Sequence, residues 1–175
     1  MIYSILEKSA KRWGSKTAVI CNGNIKTYME LSEYVNLITK KLSCCKGVVN
    51  NNILLAMDNS MEFVESFFAI SKAGGTIIPI YMNMGEGKLQ NIIEHYEIKC
   101  ILTLKKYRKK IENSLKESQN QVETIFYIED NGSSILIEKD EYQPGLITSP
   151  YYKGENPGII LFSSGTTSLP KGIML

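Results

Sequence analysis

Arginine is nearly missing from this 175-residue chain: Arg12 and Arg108 are the only two among twenty cationic side chains. Bidentate clamping of phosphates or nucleobases by guanidinium groups is therefore hardly available, and an anion must be held by lysine, hydroxyls and backbone N–H groups. Histidine is scarcer still. His95 stands alone, and the four cysteines (Cys21, Cys44, Cys45, Cys100) show no CxxC spacing, so a Cys/His zinc site has almost nothing to be built from. Reduced thiols of a cytoplasmic protein are the expected state. Charge of one sign is also lacking: twenty Lys+Arg against eighteen Asp+Glu leave a formal +2, too little to indicate a nucleic-acid partner. No apolar run approaches the length of a membrane span, and Glu7 and Lys8 interrupt the start where a signal peptide needs an unbroken apolar stretch.

What is present is an ordinary globular composition, 43% hydrophobic and 22% charged, with length enough for one domain or slightly more. Ile2, Ile5, Leu6, Ala10 and Trp13 recur at helical spacing, and a short strand follows over Thr17 to Cys21 before a turn at Gly23. Thr27 and Glu30 form a capping-box pattern, which predicts a helix lined by Leu31, Tyr34, Val35, Ile38 and Leu42.

From Asn50 onward the pattern becomes strand, helix, strand. Ile53 to Met57 is apolar, Asn59 and Glu62 cap a helix bearing Phe63, Val64, Phe67 and Phe68, Gly74-Gly75 ends it, and Thr76 to Ile80 resumes as a strand. Such units favour parallel pairing. The alternation continues with a helix on Leu89, Ile92, Ile93 and Tyr96, a strand from Cys100 to Leu104, and a helix on Tyr107, Ile111 and Leu115. Thr124 to Ile128 and Ser133 to Ile137 flank Asn131-Gly132, a hairpin signal that makes the sheet mixed. The expected fold is α/β: a mostly parallel sheet with flanking helices, in a layered α/β/α arrangement. Residues 138 to 157 read as a long connection to a last strand, Gly158 to Phe162. The chain stops on apolar residues with no polar cap, and the expectation is an N-terminal part of a longer protein. Residues 1–45 would form a helical segment packing partly on downstream sequence, and 46–175 an α/β subdomain.

The chemistry is concentrated after that last strand. The residues Ser163, Ser164, Gly165, Thr166, Thr167, Ser168, Lys171 and Gly172 place five hydroxyls, two glycines and one lysine within ten positions. Glycine lets the backbone approach an anion, hydroxyls and N–H groups donate hydrogen bonds, and lysine adds a compact positive charge. The order differs from a Walker A loop, which has glycine before the lysine and Ser or Thr after it; here those positions hold Pro170 and Gly172. His95 lies beside the apolar stripe of its helix and reads as an exposed side chain. The run KKYRKK at 105 to 110 reads as a solvated helix face, and Cys44-Cys45 as packing.

The string FSSGTTSLPKG resembles the phosphate-binding signature of the adenylate-forming (AMP-binding) enzymes: acyl-CoA synthetases, peptide-synthetase adenylation domains and luciferase-like proteins. KTYMEL at 26 to 31, ISKAGGTIIPI at 70 to 80 and ENPGIILF at 155 to 162 are similar to further segments of that family, in order and spacing. Ser168 departs from it, standing where the family usually has glycine. The resemblance implies the N-terminal part of that fold and a ligase using ATP and Mg²⁺. A carboxylate attacks the α-phosphate, pyrophosphate leaves, and CoA or the phosphopantetheine of a carrier protein captures the acyl group. It implies that Ser163 through Ser168 wrap the β- and γ-phosphates and that Lys171 offsets charge on the departing pyrophosphate. No catalytic residue falls within these 175 residues, the catalytic lysine being expected downstream, so the chain alone is expected to be inactive. A fatty or other organic acid is the expected substrate, with amino-acid activation by a peptide synthetase as the alternative. A non-catalytic nucleotide-binding or interaction module, associating as a homo-oligomer, is the remaining alternative.

Overall fold

The computed structural model describes residues 2–116, 118, 122–129, 135–138, 158–162 and 172–175, of which 135–138 are described as backbone only. Five helices and nine strands are formed among these. Helix α1 (Tyr3–Trp13) leads into a hairpin of β1 (Thr17–Cys21) and β2 (Asn24–Thr27), then α2 (Tyr28–Leu42). There follow β3 (Asn52–Ala56), α3 (Met61–Ala73), β4 (Thr76–Ile80), α4 (Glu86–His95), β5 (Cys100–Leu104), α5 (Arg108–Leu115), β6 (Thr124–Ile128) and β7 (Ile135–Glu138). Strands β8 (Ile160–Phe162) and β9 (Gly172–Met174) close the described chain.

The main sheet runs β4-β3-β5-β6-β7. The first four strands are parallel and β7 is antiparallel to β6, as the Asn131-Gly132 signal anticipates, although that turn itself lies outside the described residues. The parallel strands bury both faces, so they read as continuous apolar runs rather than alternating ones. Ile53, Leu55, Ile77, Leu102 and Phe126 point to the side covered by α1, α2 and α3. Leu54, Ile78, Ile101, Ile125 and Tyr127 point to the side covered by α4 and α5. The chain steps from β3 outward to β4, then reverses across β3 to β5 and on to β6. Crossovers of one hand then require α3 on one face and α4 and α5 on the other, as found.

Helix starts and stops follow from local chemistry. The Thr27 hydroxyl accepts from Glu30 N–H at 3.3 Å while the Glu30 carboxylate accepts from Thr27 N–H at 2.8 Å, completing the anticipated capping box. Helix α3 is capped one residue later than expected: the Ser60 hydroxyl, not Asn59, accepts from Phe63 N–H at 3.1 Å. Gly74 ends α3 with φ +81°, a left-handed position that glycine takes without a Cβ penalty.

Two further details differ from the sequence reading. Tyr34, placed on the apolar stripe of α2, is exposed, while Leu31, Val35, Ile38 and Leu42 are buried as expected. The buried face of α3 carries Glu65, Ser66, Ala69, Ile70 and Ala73, and Phe63, Val64, Phe67 and Phe68 are only half-buried against the core. The small residues sit where the helix approaches its neighbours closely, and the phenylalanines fill the flanks.

Candidate functional site

The hydroxyl-rich loop, Ser163 to Lys171, lies outside the described residues, but both of its ends are described. Strands β8 and β9 pair antiparallel as a hairpin, with Phe162 opposite Gly172. Gly172, expected as the last residue of the loop, is the first residue of β9. The hairpin joins the free edge of the main sheet: Ile159 bridges Ile77 of β4 in parallel, and Ile77 N–H donates to the Gly158 carbonyl at 3.1 Å. Strand β8 therefore runs the same way as the parallel strands. It ends at their carboxyl edge, the edge at which open α/β sheets place their ligands.

Tyr96, the residue that ends α4, holds this hairpin from below. Its hydroxyl accepts from Gly172 N–H at 3.0 Å, and its ring lies 5.1 Å from that of Phe162. A side chain on Gly172 would put its Cβ 2.7 Å from Ile160 Cγ2 and 2.8 Å from the Tyr96 hydroxyl, so only glycine fits beneath that strand. Sequence reasoning placed Tyr96 on the apolar stripe of α4 and missed its second role, because nothing near residue 96 announces a partner 76 positions away.

At the same carboxyl edge, where the strand order reverses between β3 and β5, a cleft of 340 Å³ opens between the β1–β2 turn, the start of α3 and the end of β5. Asp58, Ser60, Asn22, Asn24 and Lys106 are among its lining residues. The Tyr107 hydroxyl donates to Asp58 Oδ2, and Lys106 Nζ lies 3.4 Å from the same oxygen. Most of the basic run is likewise committed to protein acceptors: Lys105 to Glu129 at 2.5 Å, Arg108 to Glu112 at 2.9 Å, and Lys110 to the Met82 carbonyl at 2.7 Å. His95 is exposed, and all four cysteines are free. Among the described residues no group of three or more His, Cys, Asp or Glu side chains gathers as a metal site.

Two carboxylates elsewhere are perturbed. Accepting the Thr27 backbone N–H and hydroxyl holds Glu30 below the usual carboxylate range. Glu65 is buried on α3, which pushes its carboxyl up despite the ion pair it makes with Lys26 of β2.

The described residues define an α/β protein whose parallel sheet carries β8 and β9 at one edge. The family model for AMP-binding enzymes matches residues 6–175, and the chain belongs to that family. Among curated relatives it is 27% identical to the crotonobetaine/carnitine–CoA ligase of Shigella flexneri over 93% of this chain and 34% of the ligase. It is 25% identical to the phosphinothricin tripeptide synthetase PhsC of Streptomyces viridochromogenes, over 99% of this chain and 15% of that protein. A solved long-chain fatty-acid–CoA ligase from Archaeoglobus fulgidus superposes with a TM-score of 0.76 at 20% identity, covering 99% of this chain and 36% of that one, a likeness of fold. The chain thus spans about a third of the length of the CoA ligases it matches. No helix among the described residues is long and apolar enough to cross a membrane.

Proposed function

We propose that this chain supplies the triphosphate-gripping part of an ATP-dependent ligase that activates a carboxylic acid as its acyl-adenylate and passes it to the thiol of CoA. The observation that carries the reading is the donor set between Phe162 and Gly172. Ser163, Ser164, Thr166, Thr167 and Ser168 offer hydroxyls, Lys171 an ammonium and Gly165 room for the backbone, and no carboxylate intervenes. That set combines hydroxyl donors with positive charge and no carboxylate, which fits a polyphosphate.

In the reaction the substrate carboxylate oxygen attacks the α-phosphorus of ATP, the bond to the β-phosphate oxygen breaks, and pyrophosphate carries away the electron pair. The thiolate of the acceptor then attacks the acyl carbonyl, and AMP departs. The loop's part is electrostatic. Hydrogen bonds and Lys171 meet charge that grows on the leaving β- and γ-phosphates, which lowers the barrier only in so far as they bind the transition state better than ATP. Mg²⁺, when bound with the nucleotide, would supply further charge neutralisation. The pairs already made by Lys105, Lys106 and Lys110 support leaving the basic run outside this site.

On this reading the 175 residues alone catalyse no adenylation, and the exposed apolar side chains Ile5, Ile20, Ile25, Met29 and Leu37 are where the rest of such a ligase packs. The free cysteines suit a reducing, cytoplasmic setting. Activation of an amino acid for a carrier protein is the second reading, and the similarity to a peptide synthetase favours it.

The test is carboxylate-dependent ATP–pyrophosphate exchange by the product of the whole reading frame that contains this chain, assayed with fatty, aryl, carnitine-like and amino acids. Exchange with one of the first three supports the CoA-ligase reading, and exchange with an amino acid alone transfers it to the second. Lys171→Ala should lower the rate at least tenfold. An unchanged rate in that variant removes Lys171 from the site, and no exchange with any acid refutes the enzyme.

A further inference from the structure

We infer that the cleft where the strand order reverses binds a small primary ammonium, with its –NH₃⁺ group on the Glu62 carboxylate and a short alkyl stem against Met61 and Leu104. This is a binding function beyond the polyphosphate reading, and it lies wholly within the described residues.

The topology builds the cleft. Chain leaving β3 turns onto one face of the sheet to start α3, and chain leaving β5 turns onto the other to start α5, so a crevice opens between the two exits. The turn between β1 and β2 forms a further wall, and the ion pair of Lys26 with Glu65 holds that hairpin to α3. The 340 Å³ so enclosed is room for a small molecule.

Glu62 is the group the fold leaves unmet. It is only 8% exposed, it lines the cleft, and among the described residues its carboxylate takes part in no hydrogen bond or ion pair. The neighbouring cations are directed elsewhere: Lys26 to Glu65, and Lys106 to Asp58, which also accepts the Tyr107 hydroxyl. The first turn of a helix favours a negative side chain because its N–H groups lack partners, so α3 tolerates Glu62 without a cation. A buried carboxylate nevertheless calls for donors. An ammonium supplies three, and the side-chain carbonyls of Asn22 and Asn24 in the same lining can accept those that Glu62 does not take. A divalent metal fits poorly, since no three His, Cys, Asp or Glu side chains gather among the described residues. A quaternary ammonium fits no better. It has no N–H to donate, and none of the described lining residues is aromatic.

The test is saturation-transfer NMR on the product of the whole reading frame that contains this chain, titrated separately with n-butylammonium, tetramethylammonium and n-butanol. It compares the wild type with Glu62→Gln, which keeps the shape and loses the charge, and with Lys106→Met, which removes the cation beside Asp58 and leaves a second carboxylate to the ligand. Expected for butylammonium is a Kd of about 1 mM in the wild type. Glu62→Gln should raise it about ten- to hundredfold, the usual worth of a hydrogen bond to a charged group, and Lys106→Met should bind at least as tightly as the wild type. Tetramethylammonium and butanol should bind at least tenfold more weakly than butylammonium. Absence of saturable butylammonium binding to the wild type overturns the inference. So does an unchanged Kd in Glu62→Gln, which would put the ligand elsewhere, or a loss of binding in Lys106→Met, which would make the effect one of altered structure. Equal affinity for tetramethylammonium or for butanol would show that N–H donation to Glu62 is not what the cleft recognises, and would refute it as well.

Discussion

Replacing Gly75 by alanine should destabilise the chain through one identifiable clash, and removing one methyl group elsewhere should relieve it. Gly75 follows the left-handed cap of α3 and enters β4, where an added Cβ would lie 2.3 Å from Ile53 Cδ1, 3.0 Å from Ile53 Cγ1 and 3.2 Å from Ile70 Cγ2. The first distance is impossible without movement, and Ile53 is fully buried on the central strand β3, so its terminal methyl has nowhere to swing. Overpacking of this kind costs about 1–3 kcal/mol, a large share of a total of about 5–15 kcal/mol. Ile53→Val deletes Cδ1 and by itself costs about 0.5–1.5 kcal/mol for the space left behind. In the double variant the alanine methyl enters that space, so the two changes should couple favourably by about 1–2 kcal/mol. Gly74→Ala is the internal control. Its cost, about 1–2 kcal/mol, arises from backbone strain at φ +81°, and Ile53→Val should not repair it. Urea unfolding followed by far-UV circular dichroism measures the wild type, the three single variants and the two double variants that pair Ile53→Val with Gly75→Ala and with Gly74→Ala. Additivity of Gly75→Ala and Ile53→Val within about 0.5 kcal/mol would refute the steric account.

Thr27→Ala removes the hydroxyl of the α2 capping box and should cost about 1 kcal/mol in the same unfolding assay. Because Glu30 is held below the usual carboxylate range, its contribution is present above that range and lost as pH falls through the lowered native value; Glu30→Gln should flatten this acid limb. Glu65 has the opposite sign. Its raised carboxyl binds a proton more tightly in the native state, so stability should fall as pH rises from the ordinary carboxylate value through the native one, and Glu65→Gln should abolish that slope. Lys26→Met, which strips Glu65 of its cation, should widen the window and steepen the loss at neutral pH.

The parallel core was legible because its signals are local and repeated. Ile53 to Ala56, Thr76 to Ile80 and Cys100 to Leu104 are continuous apolar runs separated by capped helical stripes, and no competing reading suits that alternation. Strand β2 was missed even though Asn22-Gly23 carries the same hairpin signal as Asn131-Gly132, with both residues at positive φ in the structure. Asn24 to Thr27 is polar and half-exposed, so no alternation of apolar residues marked it as a strand. The stripe on α3 misled in the other direction. Phenylalanines are the obvious candidates for a core, yet close approach to α2 and the sheet demanded Ser66, Ala69 and Ala73 in the innermost positions. The contact of Tyr96 with Phe162 and Gly172 joins distant segments, and no local pattern encodes it.

What fixes β8 against the sheet is the alternation of the four residues from Ile159 to Phe162. Ile159 packs toward the α1–α3 face, Ile160 is buried with the α4–α5 cluster, Leu161 is exposed, and Phe162 returns to the side of Tyr96. Side chains on a strand have a period of two, so slipping β8 by one residue against β4 would turn Leu161 inward and Phe162 outward. That slip would break the Ile77–Gly158 hydrogen bond and carry Gly172 away from the only position at which the Tyr96 hydroxyl meets its N–H without a Cβ in the way. The register is therefore specified from three sides: by the bridge to β4, by the burial of Ile160, and by the aromatic contact beneath Phe162. An unremarkable run of apolar residues thus decides where β8 ends at Phe162.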